Sequence, residues 1–223
     1  MTRVAVVLCG AGRFDGSEIH EAVLTLLHLR RGGAEVACFA PDAPQWATCD
    51  HFDGQPTAEA PRNQLAEAAR IARGEVRPLA EADAAVLDAL VLPGGSGAAR
   101  NLCSFAEHGE QGTVLPELQR LLEGMRAAGK PIGAICIAPA ILALAFRGQG
   151  LRMTLGPATD GAAVAAAAAG HELVAAAVDE IVVDEAANVV SSPAYILGPD
   201  IAAVDLGIGR LVTEVLRRAA APR

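Results

Sequence analysis

Short apolar runs alternate along the chain with longer stretches in which apolar residues recur three and four positions apart. The runs are typical of strands buried on both faces, and the longer stretches indicate amphipathic helices. Strands are predicted at 4–8, 36–40, 76–79, 89–92, 132–135, 151–155, 180–184 and 189–191. Helices are predicted at 18–31, 64–72, 114–128, 138–146, 159–169 and 201–218. The alternation predicts an α/β fold with a doubly wound, mostly parallel sheet and helices on both faces.

Length and composition fit one domain over residues 1–223. The chain has 223 residues, of which 52% are apolar and only 3% aromatic, so an aliphatic core of ordinary size is expected. In such a fold, ligands bind at the carboxyl ends of the strands. Three segments with candidate chemistry follow predicted strands: 9–21, 93–97 and Cys136.

The first predicted helix carries two acidic residues near its start. Ser17 is the predicted N-cap, and the buried face is expected to contain Ile19, Ala22, Val23, Leu26 and Leu27. Glu18 and Glu21 lie three positions apart and are therefore neighbours on the helix surface. Either they are ordinary first-turn carboxylates, or one of them faces the sulfur of Cys136. His20 and His28 are interpreted as surface residues.

Cys136 lies directly between a predicted strand and a predicted helix. A sharp turn there would present the sulfur at the edge of the sheet, as in the nucleophile elbow of hydrolases. The start of the following helix is expected to favour the thiolate. The alternative is an inert core cysteine, which is the usual state of a cysteine among apolar residues.

A glycine-rich loop, residues 93–97, follows the strand at 89–92. Glycines after a strand let the backbone approach a ligand and offer N–H groups to an anion. The functional interpretation is an oxyanion-binding loop that uses the N–H groups of Gly95 and Ile137, with Ser96 beside the substrate. The alternative is a plain connection between strand and helix.

Charge and cysteine content exclude several classes of protein. A net charge of −8 and a pI near 5.1 argue against a nucleic-acid partner. The apolar run after Arg3 is too short for a signal peptide, and no apolar run is long enough to span a membrane. Five cysteines without a CxxC motif predict neither disulfides nor a metal site, and Cys49 and His51 are interpreted as loop residues. A cytoplasmic location is expected.

The segments Leu-Pro-Gly-Gly-Ser-Gly-Ala-Ala (92–99) and Gly-Ala-Ile-Cys-Ile-Ala-Pro-Ala (133–140) resemble the ThiJ/PfpI branch of the class I glutamine-amidotransferase-like superfamily. The segment 14–27 narrows the resemblance to the ElbB group, named for enhancing lycopene biosynthesis and assigned glyoxalase activity. The resemblance implies a flavodoxin-like homodimer without a cofactor. It also implies Cys136 as nucleophile, Glu21 or, second, Glu18 as its acidic partner, and Gly95 and Ile137 at the oxyanion positions.

The chain departs from the catalytic patterns of other branches. The late His-x-Glu of amidotransferases is absent, since His171 is followed directly by Glu172, and the histidine that follows the cysteine in PfpI peptidases is replaced by Ile137. These departures argue against glutamine hydrolysis and peptidase activity. Tyr195, in a loop after the strand at 189–191, is interpreted as either a site-lining or a packing residue.

The resulting hypothesis is a slow glyoxalase, a lyase that converts glyoxal or methylglyoxal to the hydroxy acid with Cys136 and a glutamate. Its expected partner is a small reactive aldehyde, with no nucleic acid and no membrane involved. The alternative is a redox-responsive or regulatory binding protein linked to isoprenoid biosynthesis, with little catalysis. A third hypothesis is a glutaminase subunit whose missing base comes from a partner.

Overall fold

The computed structural model describes residues 1–198 and 200–221. In this part of the chain the strands are β1 (Arg3–Val7), β2 (Glu35–Ala40), β3 (Val76–Pro78), β4 (Ala89–Leu92), β5 (Ile132–Ile135), β6 (Arg152–Met153), β7 (Glu172–Leu173), β8 (Val182–Asp184) and β9 (Val189–Ser192). The helices are α1 (Ile19–Arg31), α2 (Gln64–Ala72), α3 (Phe105–His108), α4 (Pro116–Ala127), α5 (Pro139–Ala145), α6 (Gly161–Ala168) and α7 (Ile201–Ala219). No helix among these is long and apolar enough to cross a membrane.

A seven-stranded sheet organises the structure, with strand order β3-β2-β1-β4-β5-β9-β8. All neighbours are parallel except β8, which runs antiparallel to β9. The order changes direction beside β1, where β2 lies on one side and β4 on the other. This topology confirms the predicted doubly wound, mostly parallel α/β fold. The carboxyl ends of β1, β4, β5 and β9 meet at the edge where a ligand crevice is expected.

Both faces of the sheet are covered, which explains why its strands are apolar throughout. On one face Val4 and Val6 of β1 pack in the core cluster that contains the inner sides of α1 and α7. On the other face Ala5 and Val7 pack in the cluster that contains α4 and α5. The alternation of side chains along one strand therefore supplies both cores.

The inner face of α1 differs from the predicted one. Ile19, Val23 and Leu27 are exposed, at 44%, 46% and 39%. The buried residues are Glu21, Ala22, Thr25 and Leu29. The helical period is present, but the helix is rotated so that the side bearing Glu21 faces the sheet. Consequently an apolar stripe remains at the surface, and a carboxyl group enters the interior.

Two further segments of the chain also differ from the prediction. The strand predicted at 151–155 is only Arg152–Met153, and it pairs with β7, a strand that was not predicted. The segment between β4 and α4 contains a π-helical turn, Ala98–Leu102, and the short helix α3, both also unpredicted. Two-residue strands and single turns carry too few residues for a periodic pattern.

Candidate active site

Cys136 forms a strained corner between β5 and α5. Its backbone φ is +59°, in the left-handed region that residues other than glycine rarely adopt. The N–H of Cys136 donates to the Ser192 carbonyl oxygen (2.9 Å), which ties the corner to the end of β9. Such a conformation costs about 1–3 kcal/mol and persists only where the surrounding structure imposes it. The corner has the backbone geometry of a nucleophile elbow.

Glu21 is the acidic neighbour of the Cys136 thiol. Its side chain lies in the first turn of α1, is completely buried, and hydrogen-bonds the thiol. The Gly94 N–H donates to Oε2 (2.9 Å), and the Tyr195 N–H donates to Oε1 (3.4 Å). The segments that follow β4 and β9 thus hold the carboxyl group from two sides.

Two glycines after β4 allow this close approach. A Cβ on Gly94 would lie 2.7 Å from the Cβ of Cys136 and 2.8 Å from Oε2 of Glu21. Gly95 has a φ of +102°, and a Cβ there would lie 2.5 Å from the backbone nitrogen of Glu18. Since both positions would clash with any larger residue, the loop is built to bring backbone against the cysteine.

Burial determines where the protons of the pair reside. Burial, together with the charge of Glu18, raises the pKa of Glu21 to about 8. Burial also raises the pKa of Cys136 well above its ordinary value; the charge of Glu21 adds to this, and the N–H groups of Gly95 and Ile137 oppose it. The predicted thiolate is therefore wrong, because desolvation of the sulfur and the charge of Glu21 outweigh the N–H groups that favour it.

Glu18 has a different structural role from Glu21. It is the N-cap of α1, and its Oε2 accepts a hydrogen bond from the Glu21 N–H (2.7 Å). The predicted N-cap, Ser17, is instead buried, and its Oγ accepts from the Cys9 N–H (2.9 Å). Only Glu21, of the two glutamates, contacts the sulfur.

A cavity of about 610 Å³ opens above the Cys136 sulfur. It is lined by Arg13, Glu18, His20, Gly95, Ser96, Cys136, Ile137, Tyr195, Ile196 and Gly198. The structure therefore brings together Cys136, Glu18, Gly95, Ser96 and Ile137 around one space. Glu21 lies behind the sulfur and does not line the cavity.

The cavity wall includes a hydrogen-bonded pair that the sequence analysis did not identify. The His20 Nδ1 and the Tyr195 Oη are 2.7 Å apart, with ring centroids 5.7 Å apart. The two residues are 175 positions apart in the chain, so no local pattern links them. The sequence signal that could have identified His20 is its position next to Glu21, in the first turn of a helix that follows the carboxyl end of a strand.

Hydrogen bonds from buried polar groups hold the loop before α1 in place. The Asn101 side-chain amide donates to the carbonyl oxygens of Cys9 (3.0 Å) and Asp15 (2.8 Å). Asp15 is itself buried and accepts from the Cys49 N–H (2.8 Å). These contacts fix the segment that delivers Glu18 and Glu21. Residues 1–198 and 200–221 contain no group of three or more His, Cys, Asp or Glu side chains arranged to hold a metal ion.

Comparison with known proteins agrees with this architecture. The sequence profile of the DJ-1/PfpI family matches residues 4–202. A Homo sapiens protein named glutamine amidotransferase-like class 1 domain-containing protein 3, mitochondrial, is 45% identical over 222 residues, covering 96% of this chain and 82% of that protein. The ES1 protein homolog, mitochondrial, of Rattus norvegicus is 44% identical over 222 residues, covering 96% of this chain and 83% of that protein.

A solved structure has the same fold over nearly the whole length. The isoprenoid biosynthesis protein with amidotransferase-like domain from Ehrlichia chaffeensis superposes with a TM-score of 0.90 at 33% identity. The match covers 98% of this chain and 99% of that one. This confirms the predicted flavodoxin-like fold.

The expected cytoplasmic location is contradicted by these comparisons, because the relatives from Homo sapiens, Rattus norvegicus and Danio rerio are all named mitochondrial. The expectation rested on unpaired cysteines. Free thiols indicate a reducing environment and do not distinguish one reducing compartment from another.

Proposed function

The chain belongs to the DJ-1/PfpI family, and from this premise we propose that it is a cofactor-independent glyoxalase that converts glyoxal or methylglyoxal to the corresponding hydroxy acid. The observation that carries the proposal is the Cys136 sulfur at the cavity, with the buried Glu21 carboxyl group behind it and the N–H groups of Gly95 and Ile137 lowering the pKa of the thiol. A thiol, a proton-holding acid and two fixed donors are what addition to an aldehyde requires.

The first step is addition of the thiol to one aldehyde carbon. A sulfur–carbon bond forms, the carbonyl bond opens to oxygen, and the thiol proton ends on that oxygen as a hemithioacetal. The N–H groups of Gly95 and Ile137 lower the pKa of the Cys136 thiol, so both lie beside the sulfur. They are therefore within reach of an oxygen on the carbon bonded to it, where each such donor is worth about 2.7–4 kcal/mol in enzymes that have been measured.

Glu21 supports this step as an acid. With a pKa of about 8, its carboxyl group is largely protonated at neutral pH. A neutral carboxyl group donates a hydrogen bond to the sulfur as the thiolate develops, whereas an ionised one would repel it. Because the pKa of Cys136 is raised, little thiolate exists before the substrate arrives. The proposed enzyme is consequently slow.

The remaining steps conserve all atoms of glyoxal and water. A proton leaves the carbon that bears sulfur and returns to the neighbouring carbon, which converts the hemithioacetal to a thioester. The first carbon is oxidised and the second is reduced, so no external oxidant or reductant is needed. Water then cleaves the thioester, which restores the Cys136 thiol and releases glycolate.

A regulatory role in isoprenoid biosynthesis is the second candidate. It is favoured by the name of the Ehrlichia chaffeensis protein, which is 33% identical. In that case Cys136 would respond to oxidants without turning over aldehydes. The raised pKa of its thiol argues against rapid oxidation, because the thiolate is the form that reacts.

Glycolate production from glyoxal tests the proposed function. We expect steady turnover by the wild type and its loss, by about 10³-fold or more, in Cys136→Ala, since no nucleophile remains. Cys38→Ala is the matched control, because Cys38 is a buried cysteine on β2 outside the cavity. A wild-type protein that produces no hydroxy acid from either aldehyde would refute the glyoxalase. Rapid peroxide oxidation of Cys136 in the same protein would then support the regulatory role.

A further inference from the structure

The proposed reaction needs a base that reaches the carbon atoms of the substrate. Glu21 is poorly placed for this, because it lies behind the sulfur and its two oxygens already accept from the N–H groups of Gly94 and Tyr195. Glu18 lines the cavity, but its Oε2 is engaged as the N-cap of α1. A group on the cavity wall with an unengaged proton acceptor is better placed to carry the proton between the two carbons.

His20 is such a group. Its side chain is exposed and lines the same cavity as the Cys136 sulfur. Its Nδ1 is engaged with the Tyr195 hydroxyl (2.7 Å). Among the described residues, 1–198 and 200–221, its Nε2 has no hydrogen-bond partner. One nitrogen is thus fixed and the other is free to meet a substrate.

Tyr195 contacts both the acid beside the sulfur and the imidazole on the cavity wall. Its backbone N–H donates to Oε1 of Glu21 (3.4 Å), so the tyrosine bridges the acid beside the sulfur and the histidine on the wall. The preceding residue, Ala194, is completely buried with a φ of +42°. A strained backbone position directly before a cavity-lining side chain is typical of a functional site.

The hydrogen bond between the two rings is compatible with proton transfer at Nε2. Burial, with the charges of Glu18, Glu21 and Asp200, raises the pKa of Tyr195, so the phenol keeps its proton. A neutral phenol can donate to Nδ1 or accept from it. A base at Nε2 requires the tautomer with its proton on Nδ1, so the Nδ1–H donates to the phenol oxygen both before and after Nε2 takes up a proton.

From this geometry we propose that His20 is the general base of the site and that Tyr195 is its positioning residue. The proposal rests on the proposed glyoxalase. His20 Nε2 removes the proton from the hemithioacetal carbon that bears sulfur. The electron pair of that C–H bond forms the double bond of an enediolate, and the carbonyl pair of the neighbouring carbon moves onto its oxygen. The same Nε2–H then protonates the neighbouring carbon, the hydroxyl proton of the sulfur-bearing carbon passes to the neighbouring oxygen, and the thioester carbonyl forms. His20 ends each cycle in its starting protonation state.

The charged and titratable groups around this pair are Arg13, Glu18, Cys136 and Asp200, in addition to Tyr195 and Glu21. A general base acts only in its deprotonated form, so the pH profile of kcat shows an acid limb, which is a fall in turnover at low pH. This acid limb should be absent when His20 is replaced, whereas titration of the surrounding groups would leave it in place.

The experiment compares glyoxal turnover over a range of pH in wild type, His20→Gln, Tyr195→Phe and His28→Gln. We expect His20→Gln to lower kcat about 10²–10⁴-fold, the usual worth of general acid–base catalysis, with little change in KM and with loss of the acid limb. Tyr195→Phe should lower kcat less, again with little change in KM. His28→Gln is the control, since His28 is on the same helix but pairs with Asp205 (2.7 Å) outside the cavity.

Two further measurements separate chemistry from structure. Added imidazole should restore turnover in His20→Ala, which a structural loss would not allow. Glyoxal should protect Cys136 from iodoacetamide equally in wild type and His20→Gln, because adduct formation precedes the step assigned to His20. Active wild type with unchanged kcat and an unchanged pH profile in His20→Gln would overturn the role of His20 alone. Inactive wild type would overturn the glyoxalase and this role with it.

Discussion

Cys9 and Cys136 occupy similar places in the fold, each at the carboxyl end of a central parallel strand and each buried. The Cys9 sulfur packs in the core and lies 3.5 Å from Ser17 Oγ, and burial raises its pKa to about 12. The Cys136 sulfur faces a cavity, a carboxyl group and two N–H groups. Both thiols have raised pKa values, so burial does not separate the reactive position from the structural one. The left-handed backbone of Cys136 and its acidic neighbour are what distinguish the reactive position from the structural one.

Among the variants that compare Cys136 with Cys9, removal of the acidic Glu21 beside Cys136 should have the largest effect on turnover. Glu21→Gln keeps the shape of the side chain but removes its acidic proton and its charge. We expect glyoxal turnover to fall about 10²–10⁴-fold. At the same time the pH profile of Cys136 alkylation should move to lower pH, because the charge of Glu21 is one cause of the raised pKa of that thiol.

Ser17→Ala is the matched change at the other cysteine. It removes the acceptor of the Cys9 N–H and should cost about 1–3 kcal/mol of unfolding free energy, since a buried donor loses its partner. Turnover per folded molecule should stay within about threefold of wild type, well inside the effect expected of a catalytic acid. Equal losses of turnover in Ser17→Ala and Glu21→Gln would show that the surroundings of Cys9 and Cys136 do not differ in their importance for catalysis.

Gly94→Ala should have an intermediate effect, because the added Cβ meets Cys136 and the Glu21 carboxyl at once. Displacing the carboxyl group should lower turnover about tenfold or more, and the crowding should cost about 1–3 kcal/mol of unfolding free energy. Urea denaturation and glyoxal turnover on the same samples provide the measurement.

Gly161→Ala is the control for that variant, since a Cβ at this helix start has no heavy atom within 4 Å. It should raise the unfolding free energy by about 0.4–1 kcal/mol by restricting the unfolded chain. If Gly94→Ala were as active and as stable as Gly161→Ala, close backbone contact at the cysteine would not be required.

The sequence was sufficient to predict the position of the elbow and of the loops around it, but not the pKa of its cysteine. The apolar runs of β4 and β5 and the residues directly after them are local features, and both strands have the predicted bounds. The orientation of α1 is not local. Its exposed stripe at Ile19, Val23 and Leu27 is more apolar than the inner side, which carries Glu21 and Thr25. A rule that buries the most apolar face therefore selects the wrong one.

The same limit applies to the proton chemistry of the site. The raised pKa of Cys136 results from burial and from Glu21, a residue that reaches the sulfur only through the folded sheet edge. The His20–Tyr195 contact likewise joins the start of α1 to the segment after β9. Each depends on tertiary distances, whereas helix-start effects, on which the thiolate prediction rested, can be inferred from sequence alone.

The stability of the protein should also depend on the Glu21 carboxyl group, independently of catalysis. In the unfolded chain this carboxyl group has its ordinary pKa of 4.5, whereas burial raises the folded value to about 8. Between these values the folded protein holds a proton that the unfolded chain releases. The contribution of Glu21 to the unfolding free energy is therefore fully present below pH 4.5 and is lost as the pH rises through about 8.

Urea denaturation at several pH values between these limits measures that loss. A single proton corresponds to at most about 1.4 kcal/mol per pH unit. Glu21→Gln should remove this part of the slope, while Glu59→Gln, at an exposed loop position, should retain it. An identical slope in wild type and Glu21→Gln would mean that the carboxyl group beside Cys136 is ionised in the folded protein. The sulfur would then face a fixed negative charge, and Cys136 would resemble Cys9 in having no means of becoming a thiolate.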